Sequence, residues 1–394
     1  MATLIGQEAM FRVEDHQISG EDAVNIIHKP VVAGGDLLGD LRPEARLLAL
    51  APTPAPFVLD QDDVIRRARN IFGPRMADFE RIAKVFATTG IRTRQAAMPA
   101  DWYETPRGWP ERTQAYLEAG TALFIETTQA ALARAGLAAA DVDTVVTVSS
   151  TGIATPSLEA RALAALGLRA DVRRVPVFGL GCAGGVTGLS LAGRLAQAEP
   201  GSTVLLVALE LCTLAFRSDR ITKADLVATA LFGDGAAAAI LRAGGGGGRE
   251  APVLEFAHEH TWPNTLDIMG WSVDPVGFGV IFDRSIPPFV TECYGDAVAA
   301  FLGAAGLQRD AIDRFVCHPG GTKVVAAIEE ALGLEADTFA SERAVLRDHG
   351  NMSAPTALFV LDHVLRNGFI GRCVLSALGP GFTASFVSLR VAAS

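Results

Sequence analysis

Two stretches of the chain repeat one plan. Gly136–Gly152 (GLAAADVDTVVTVSSTG) and Gly306–Gly321 (GLQRDAIDRFVCHPGG) start 170 residues apart, and each carries Gly-Leu, an Asp six residues after the Leu, an apolar strand and a glycine-bearing loop. Each copy continues into an Ala-rich helical pattern that closes on ALGL, at Ala165–Leu168 and at Ala331–Leu334. Farther on, GCAGGVTGLSL around Cys182 answers GNMSAPTALFVL around Asn351, and the strand-like runs TVLLVALELC and RCVLSALGPG follow them. The chain therefore reads as two halves of βαβ type. Their strands are almost wholly apolar, as strands covered on both faces by helices must be, so the fold class is α/β.

A chain of 394 residues with 49% hydrophobic and 20% charged residues can bury the large core that such a duplication needs. The run AGGGGGREA, Ala243–Ala251, separates the halves as a connector or surface turn. The expected division is an extension over 1–45 with a helix within SGEDAVNIIHK, a first half over 46–243, a Gly-rich link over 244–251 and a second half over 252–394. A net charge of −10 offers no basic field for a phosphate backbone, so no nucleic-acid partner is expected. The amino terminus has neither the basic nor the apolar segment of a secretory signal, which makes the cytoplasm the expected location. The 19 uncharged residues between Arg174 and Arg194 contain Pro176 and six glycines, too broken a stretch for an integral membrane segment. The five cysteines lack metal-ligand spacing, so no metal site is expected.

In each half a strand runs into a turn that opens a helix, at Cys182 in the first and between Asn351 and Pro355 in the second. Pro355 suits a first helical turn, which Asn351 or Ser353 can cap. A pseudo-twofold relation makes the two helix starts face each other, and His318 follows another duplicated strand at the same sheet end. Cysteine, histidine and asparagine, 136 and 33 residues apart, thereby converge on one cavity. A free thiol has a pKa of about 8.5, and half-ionising it at neutral pH takes about 2 kcal/mol. A helix N-terminus supplies about 0.3–1 kcal/mol, so the balance must come from a charged partner, and His318 as imidazolium is the candidate. Gly181, Gly184 and Gly185 would let substrate approach the backbone, whose N–H groups can serve an oxyanion. Each motif alone has a plainer reading, as a small core cysteine, a turn histidine and a helix cap. It is their placement at equivalent strand ends that favours chemistry.

Together, GCAGG with Cys182, ALFGDGAAA (Ala230–Ala238), HPGG with His318, GNMS with Asn351 and GPGF (Gly379–Phe382) resemble the chalcone synthase-like type III polyketide synthases of the thiolase superfamily. The resemblance runs from about residue 46 to the C-terminus. It implies a thiolase-like five-layered αβαβα fold, a homodimer, and a catalytic Cys182-His318-Asn351 triad that needs no metal or redox cofactor. By the same resemblance, Cys182 takes the acyl group of an acyl-CoA starter, and His318 and Asn351 stabilise the enolate that malonyl-CoA forms on losing carbon dioxide. The extended chain then reloads, repeats and cyclises. Phe232 matches the gate between CoA tunnel and cavity, and Arg81 and Lys84, at i and i+3 on one helix face, match CoA-binding positions; a third basic position reads Thr88. Cys212, Ala215, Val280 and Trp271 match cavity walls, with Gly379, Pro380 and Gly381 as further substrate-binding positions. Small apolar walls, together with MGWS and DRSIPPFV, resemble the bacterial branch that makes alkylpyrones and alkylresorcinols from fatty acyl starters. The alternatives are a fatty-acid initiation enzyme of the third ketoacyl-carrier-protein synthase type, which typically reads HQAN where this chain has HPGG, and a non-catalytic acyl-CoA-binding relative.

Overall fold

Alternation with a period of two sends the apolar runs into two cores at once. Every residue of Thr203–Leu211 is buried; Val204, Leu206 and Ala208 join one hydrophobic cluster, and Leu205, Val207 and Leu209 join another. A strand covered on both faces has no solvent side, which is why the run carries no alternating polar residues.

A computed structural model describes residues 43–245 and 250–393. The helix expected in the N-terminal extension and the centre of the Gly-rich link lie outside the described residues. Nine strands form one mixed sheet: β1 (Ala45–Pro54), β2 (Thr144–Val148), β3 (Arg173–Val177), β4 (Thr203–Leu211), β5 (Asp234–Ala243), β6 (Val253–Thr261), β7 (Arg314–Cys317), β8 (Gly371–Gly379) and β9 (Thr383–Val391). Their order is β7-β8-β9-β6-β1-β5-β4-β2-β3. The two half-sheets meet at a short seam in which β1 pairs with β6 only at Ala45–Leu254 and Arg46–Val253.

The helices are α1 (Gln61–Phe72), α2 (Trp109–Ala135), α3 (Leu158–Leu166), α4 (Gly184–Ala198), α5 (Lys223–Leu231), α6 (Ile286–Ala305), α7 (Thr322–Ala331), α8 (Ala340–His349) and α9 (Ala354–Arg366). Helices α4 and α9 lie between the half-sheets and touch strands of both, while α2 with α3, and α6 with α7, cover the two outer faces. This stack is the αβαβα arrangement that the family resemblance implies.

The repeated signature now has a physical meaning. Helices α2 and α6 end on Gly136 and Gly306, left-handed at φ 65° and 66°, a conformation that glycine adopts without a Cβ clash. The Asp that follows each ties two parallel strands together. Asp143 N–H donates to Thr203 O at 2.9 Å while its Oδ2 accepts from Thr203 N–H at 2.8 Å; Asp313 does the same with Arg372, at 2.9 and 2.7 Å.

The two central helices approach most closely at Gly185, where a Cβ would stand 2.1 Å from the carbonyl oxygen of Ala354. Gly185→Ala must therefore push α4 and α9 apart. We expect it to cost about 1–3 kcal/mol and to lower the thermal unfolding temperature; an unaltered temperature would contradict this packing.

Candidate active site

Cys182 lies in a tight turn, Gly181–Ala183, that opens directly into α4. The turn needs Gly181, which sits at φ +48° and faces Pro380, whose Cδ would be 2.6 Å from an added Cβ. Ser150 braces the approach to it. Its Oγ accepts from the N–H groups of Gly179 and Gly181 at 3.0 and 3.3 Å. Its own N–H donates to buried Glu210 at 2.9 Å, and the Thr151 hydroxyl donates to the same carboxyl at 2.8 Å. Glu210 is fully buried, and burial pushes its pKa up to about 8.

His318 follows β7 and anchors its N–H on Ser376 O of β8 at 2.9 Å. Asn351 stands between α8 and α9 and pairs through its backbone with the gate segment: its N–H donates to Leu231 O and its carbonyl accepts from Gly233 N–H, both at 2.9 Å. Cys182, His318 and Asn351 are all buried and line one cavity of about 20 Å³ together with Met269 and Phe282. Cys182 Sγ is 4.0 Å from Asn351 Oδ1. The amide is fixed from both ends, since Oδ1 accepts from Ser353 N–H at 2.8 Å and Nδ2 donates to Gly320 O at 3.2 Å. Ser353, the residue before α9, makes no side-chain cap, so the capping expected of Asn351 or Ser353 does not occur in that form. Both ring nitrogens of His318 are buried without a hydrogen-bond partner.

Dehydration acts against each charge expected from the sequence, taken singly. Burial pushes the Cys182 thiol up to about 11 and His318 down to about 3.

A larger, mostly apolar cavity of about 110 Å³ adjoins this chamber. Its walls include all five positions expected there: Cys212, Ala215, Phe232, Trp271 and Val280. Phe232 also lines the small cavity, so the two cavities share this residue. Its backbone carbonyl accepts from buried Arg94 at 3.2 Å. Trp271 turns its indole N–H to Ser150 O at 2.9 Å, which leaves its ring for the wall.

Other expectations need correction. Gly379, Pro380 and Gly381 line neither cavity; Gly379 packs against Leu180 O and Ala183 N, and Pro380 against Gly181, so this loop supports the nucleophile turn. Gly184 and Gly185 face Val148, Ala354 and Leu358, and make room for the helices rather than for substrate. Arg81 and Lys84 do not share a helix, because Phe79–Ile82 and Lys84–Thr88 are separate short helices flanking Ala83. Arg81 is exposed and paired with Asp78, and neither basic residue lines either cavity.

Sequence reasoning missed Ser150, Glu210, Arg94 and Asp234. Only Asp234 carried a signal, as the acid of the LFGDG motif. It is fully buried, accepts from Ala97 N–H at 2.6 Å and from Thr213 N–H at 2.8 Å, and has a pKa raised to about 7 by burial. The bracing of the nucleophile turn gives a direct test. Ser150→Ala leaves two N–H groups without their acceptor, and we expect acylation of Cys182 to slow by about tenfold or more, because a small misplacement of a reacting group is costly. Labelling of Cys182 by acyl-CoA, followed by intact-mass measurement, reads that rate.

Comparison with known proteins gives the family of the chain. The N-terminal domain of chalcone and stilbene synthases matches residues 44–245, and their C-terminal domain matches residues 253–392. The chain is 41% identical over 324 residues to a 1,3,6,8-tetrahydroxynaphthalene synthase of Streptomyces peucetius subsp. caesius, covering 80% of this chain and 84% of the relative. It is 29% identical over 343 residues to the alpha-pyrone synthesis polyketide synthase-like Pks18 of Mycobacterium tuberculosis, covering 83% and 86%. The crystal structure of 1,3,6,8-tetrahydroxynaphthalene synthase from Streptomyces coelicolor A3(2) superposes with a TM-score of 0.83 at 26% identity, over 89% of this chain and 100% of that one. Among the described residues, no helix is long and apolar enough to cross a membrane. With both family domains matched in order along almost all of the described chain, this protein belongs to the chalcone and stilbene synthases and is a type III polyketide synthase, an acyltransferase on the thiolase fold.

Proposed function

We propose that the enzyme condenses malonyl-CoA repeatedly onto a long-chain acyl-CoA starter held on Cys182 and cyclises the product to an alkylpyrone or alkylresorcinol. The observation that carries this reading is Phe232, which lines both the small chamber of Cys182, His318 and Asn351 and the larger apolar cavity. Val64, Ala68, Ile71, Ala215, Ala228 and Val280 give that cavity an aliphatic wall suited to a hydrocarbon chain. A second reading has one observation in its favour: the relative that is 41% identical is a tetrahydroxynaphthalene synthase, whose named product carries no alkyl chain. CoA would approach past Lys84–Thr88, whose last carbonyl accepts from Thr322 at 2.9 Å beside the His318 loop. Ile153 and Phe178, 52% and 57% exposed near the nucleophile turn, supply an apolar patch for a homodimer.

In the first step the Cys182 sulfur attacks the starter thioester, its bond to the acyl carbon forms, and CoA leaves as the thiol. A lone thiolate or a lone imidazolium is disfavoured in this dry chamber. Moving the proton from sulfur to His318 creates no net charge, and the His318 ring nitrogens, which have no hydrogen-bond partner, Cys182 included, are free to take it, so a closer approach of the two side chains would let them share the proton as an ion pair. Once Cys182 is acylated the counter-charge is gone. Dehydration then returns His318 to neutral imidazole, which keeps one N–H to donate. That N–H and the Asn351 amide stabilise the enolate oxygen left when malonyl-CoA loses carbon dioxide. The enolate carbon attacks the acyl carbonyl and expels the Cys182 thiolate, giving a chain two carbons longer on CoA.

Three measurements test this. Mass spectrometry of products from C12 to C18 acyl-CoA with malonyl-CoA should yield alkylpyrones or alkylresorcinols; preference for coumaroyl- or malonyl-CoA as starter would overturn the long-chain reading. Decarboxylation of malonyl-CoA should persist in Cys182→Ala and collapse in His318→Ala, and equal rates would refute the division of roles. The ion pair predicts that alkylation of Cys182 is nearly flat from pH 6 to 9 in the wild type. In His318→Gln the thiol, pushed up to about 11, should instead react about tenfold faster per pH unit; a steep wild-type profile would rule the pair out.

A further inference from the structure

The hairpin Met269–Asp274 and Gly277–Phe282 forms a two-stranded sheet of its own, outside the nine-stranded sheet. It nevertheless furnishes both cavities. Trp271 and its cross-strand partner Val280 line the larger one, and the next pair on that side, Met269 and Phe282, lines the chamber of Cys182. An isolated two-stranded hairpin is marginal on its own backbone hydrogen bonds, so something else must hold this wall in position.

Three arginines from the first half do so. Arg217, 7% exposed, sends Nη1 to both carboxylate oxygens of Asp274 at 2.8 and 2.7 Å, and its Nε donates to Asp219 at 3.0 Å. Asp274 in turn accepts from Val276 and Gly277 N–H at 2.8 and 3.2 Å, fixing the hairpin tip. Arg112 donates to the carbonyl of Val276 and, at 3.4 Å, to those of Gly108 and Phe216. Arg220 donates to Ser272 Oγ at 3.1 Å and lies 3.6 Å from Asp225 of α5, the helix that ends at Phe232. The hairpin is shaped to receive them. A Cβ on Gly279 would sit 1.4 Å from Arg220 Nη1, and one on Gly277 would sit 2.9 Å from Arg112 Nη2.

We propose that Arg112, Arg217 and Arg220 are positioning residues that set the starter chain-length selectivity of the enzyme by clamping the hairpin wall at a fixed distance from Phe232. This rests on reading the larger cavity as the acyl site. The wall is bound through side chains rather than a sheet ladder, so its position is set by a few charge-assisted hydrogen bonds. Loosening them lets chains of unequal length fit with more nearly equal ease.

The experiment uses the full-length protein and three variants: Asp274→Asn, Arg217→Gln and the conservative Arg217→Lys. Hydrogen exchange across 269–282 reads the clamp independently of any substrate, and kcat/KM over a C2 to C18 acyl-CoA panel reads selectivity. Asp274→Asn and Arg217→Gln should accelerate exchange in the hairpin by about tenfold or more while the strands of the central sheet keep their protection. The ratio of kcat/KM between best and worst starter should contract by about fivefold or more, with Arg217→Lys restoring part of it. Exchange confined to wild-type rates, or faster exchange with an unchanged starter ratio, would overturn the proposal. If Arg217→Gln does not fold, Asp274→Asn and Arg217→Lys carry both readouts. A wild-type enzyme that extends none of the panel would refute the long-chain reading instead. In that case the number of malonyl units in the products of malonyl-CoA alone replaces the starter ratio, and an unchanged product size in Asp274→Asn would overturn the clamp.

Discussion

The chemistry of this protein depends on how closely two helices can be brought together. At Gly185 the backbone of α4 lies against the carbonyl of Ala354 at the start of α9, closer than any side chain allows. That contact puts two helix starts, from different halves of the chain, at one level between the half-sheets. It is why Cys182 and Asn351, 169 residues apart in sequence, come within 4.0 Å. The Val148 and Leu206 side chains pack where Cβ atoms on Gly184 and Gly188 would be, so the start of α4 is dry as well as close. Water excluded from that contact is also excluded from the sulfur.

Dryness has a cost that the surrounding structure offsets by an unusual means. Buried carboxyls brace backbone around the chamber: Glu210 holds Ser150 and so the Cys182 turn, Asp234, two residues after Phe232, accepts from the N–H groups of Thr213 and Ala97, and Glu342 accepts from Cys317 N–H at 3.3 Å, next to His318. Burial raises the pKa of these three to about 8, 7 and 7. As neutral or weakly charged acids they still accept hydrogen bonds from backbone N–H groups that would otherwise be orphaned in the interior. A fully ionised Glu210 would oppose a negative charge on the Cys182 sulfur, and its raised pKa weakens that opposition.

What could be read from the sequence was what repetition and motif order encode. The two Gly-Leu signatures located equivalent helix ends and equivalent strands, and Asp143 and Asp313 turn out to make the same clamp in each half. Of the cavity positions, Phe232 sits in the ALFGDGAAA motif, whereas Cys212, Ala215, Trp271 and Val280 lie outside the ordered motifs and were legible only through the family resemblance, which matches them to cavity walls. The misreadings share a different cause. Gly184 and Gly185 were taken as openings for substrate, yet a missing side chain gives room to whatever lies next to it, and here that neighbour is protein. Arg81 and Lys84 were placed on one helix by spacing, and they fall instead in two consecutive short helices joined through Ala83, whose backbone keeps a right-handed helical conformation (φ −59°, ψ −16°). Ser150, Glu210 and Arg94 act through backbone groups distant in sequence, and such partnerships leave no local pattern.

The division between what was and was not legible follows the division of labour in the molecule. Groups that must keep one geometry, Cys182, His318 and Asn351, stand at strand ends and helix starts whose positions are fixed by the large sheet and its two covering layers. The walls of the larger cavity stand elsewhere, on a hairpin outside that sheet, which side-chain hydrogen bonds hold, and on α1 and α5, which pack through an apolar cluster. A ladder of backbone bonds is insensitive to which side chains it carries, so a change in the sheet costs stability before it alters selectivity. The hairpin wall has no such ladder to the large sheet and is held by the side chains of Arg112, Arg217 and Arg220. Relatives named for products as different as a tetrahydroxynaphthalene and an alpha-pyrone align with this chain over 80% and 83% of its length, so the scaffold by itself does not fix the product.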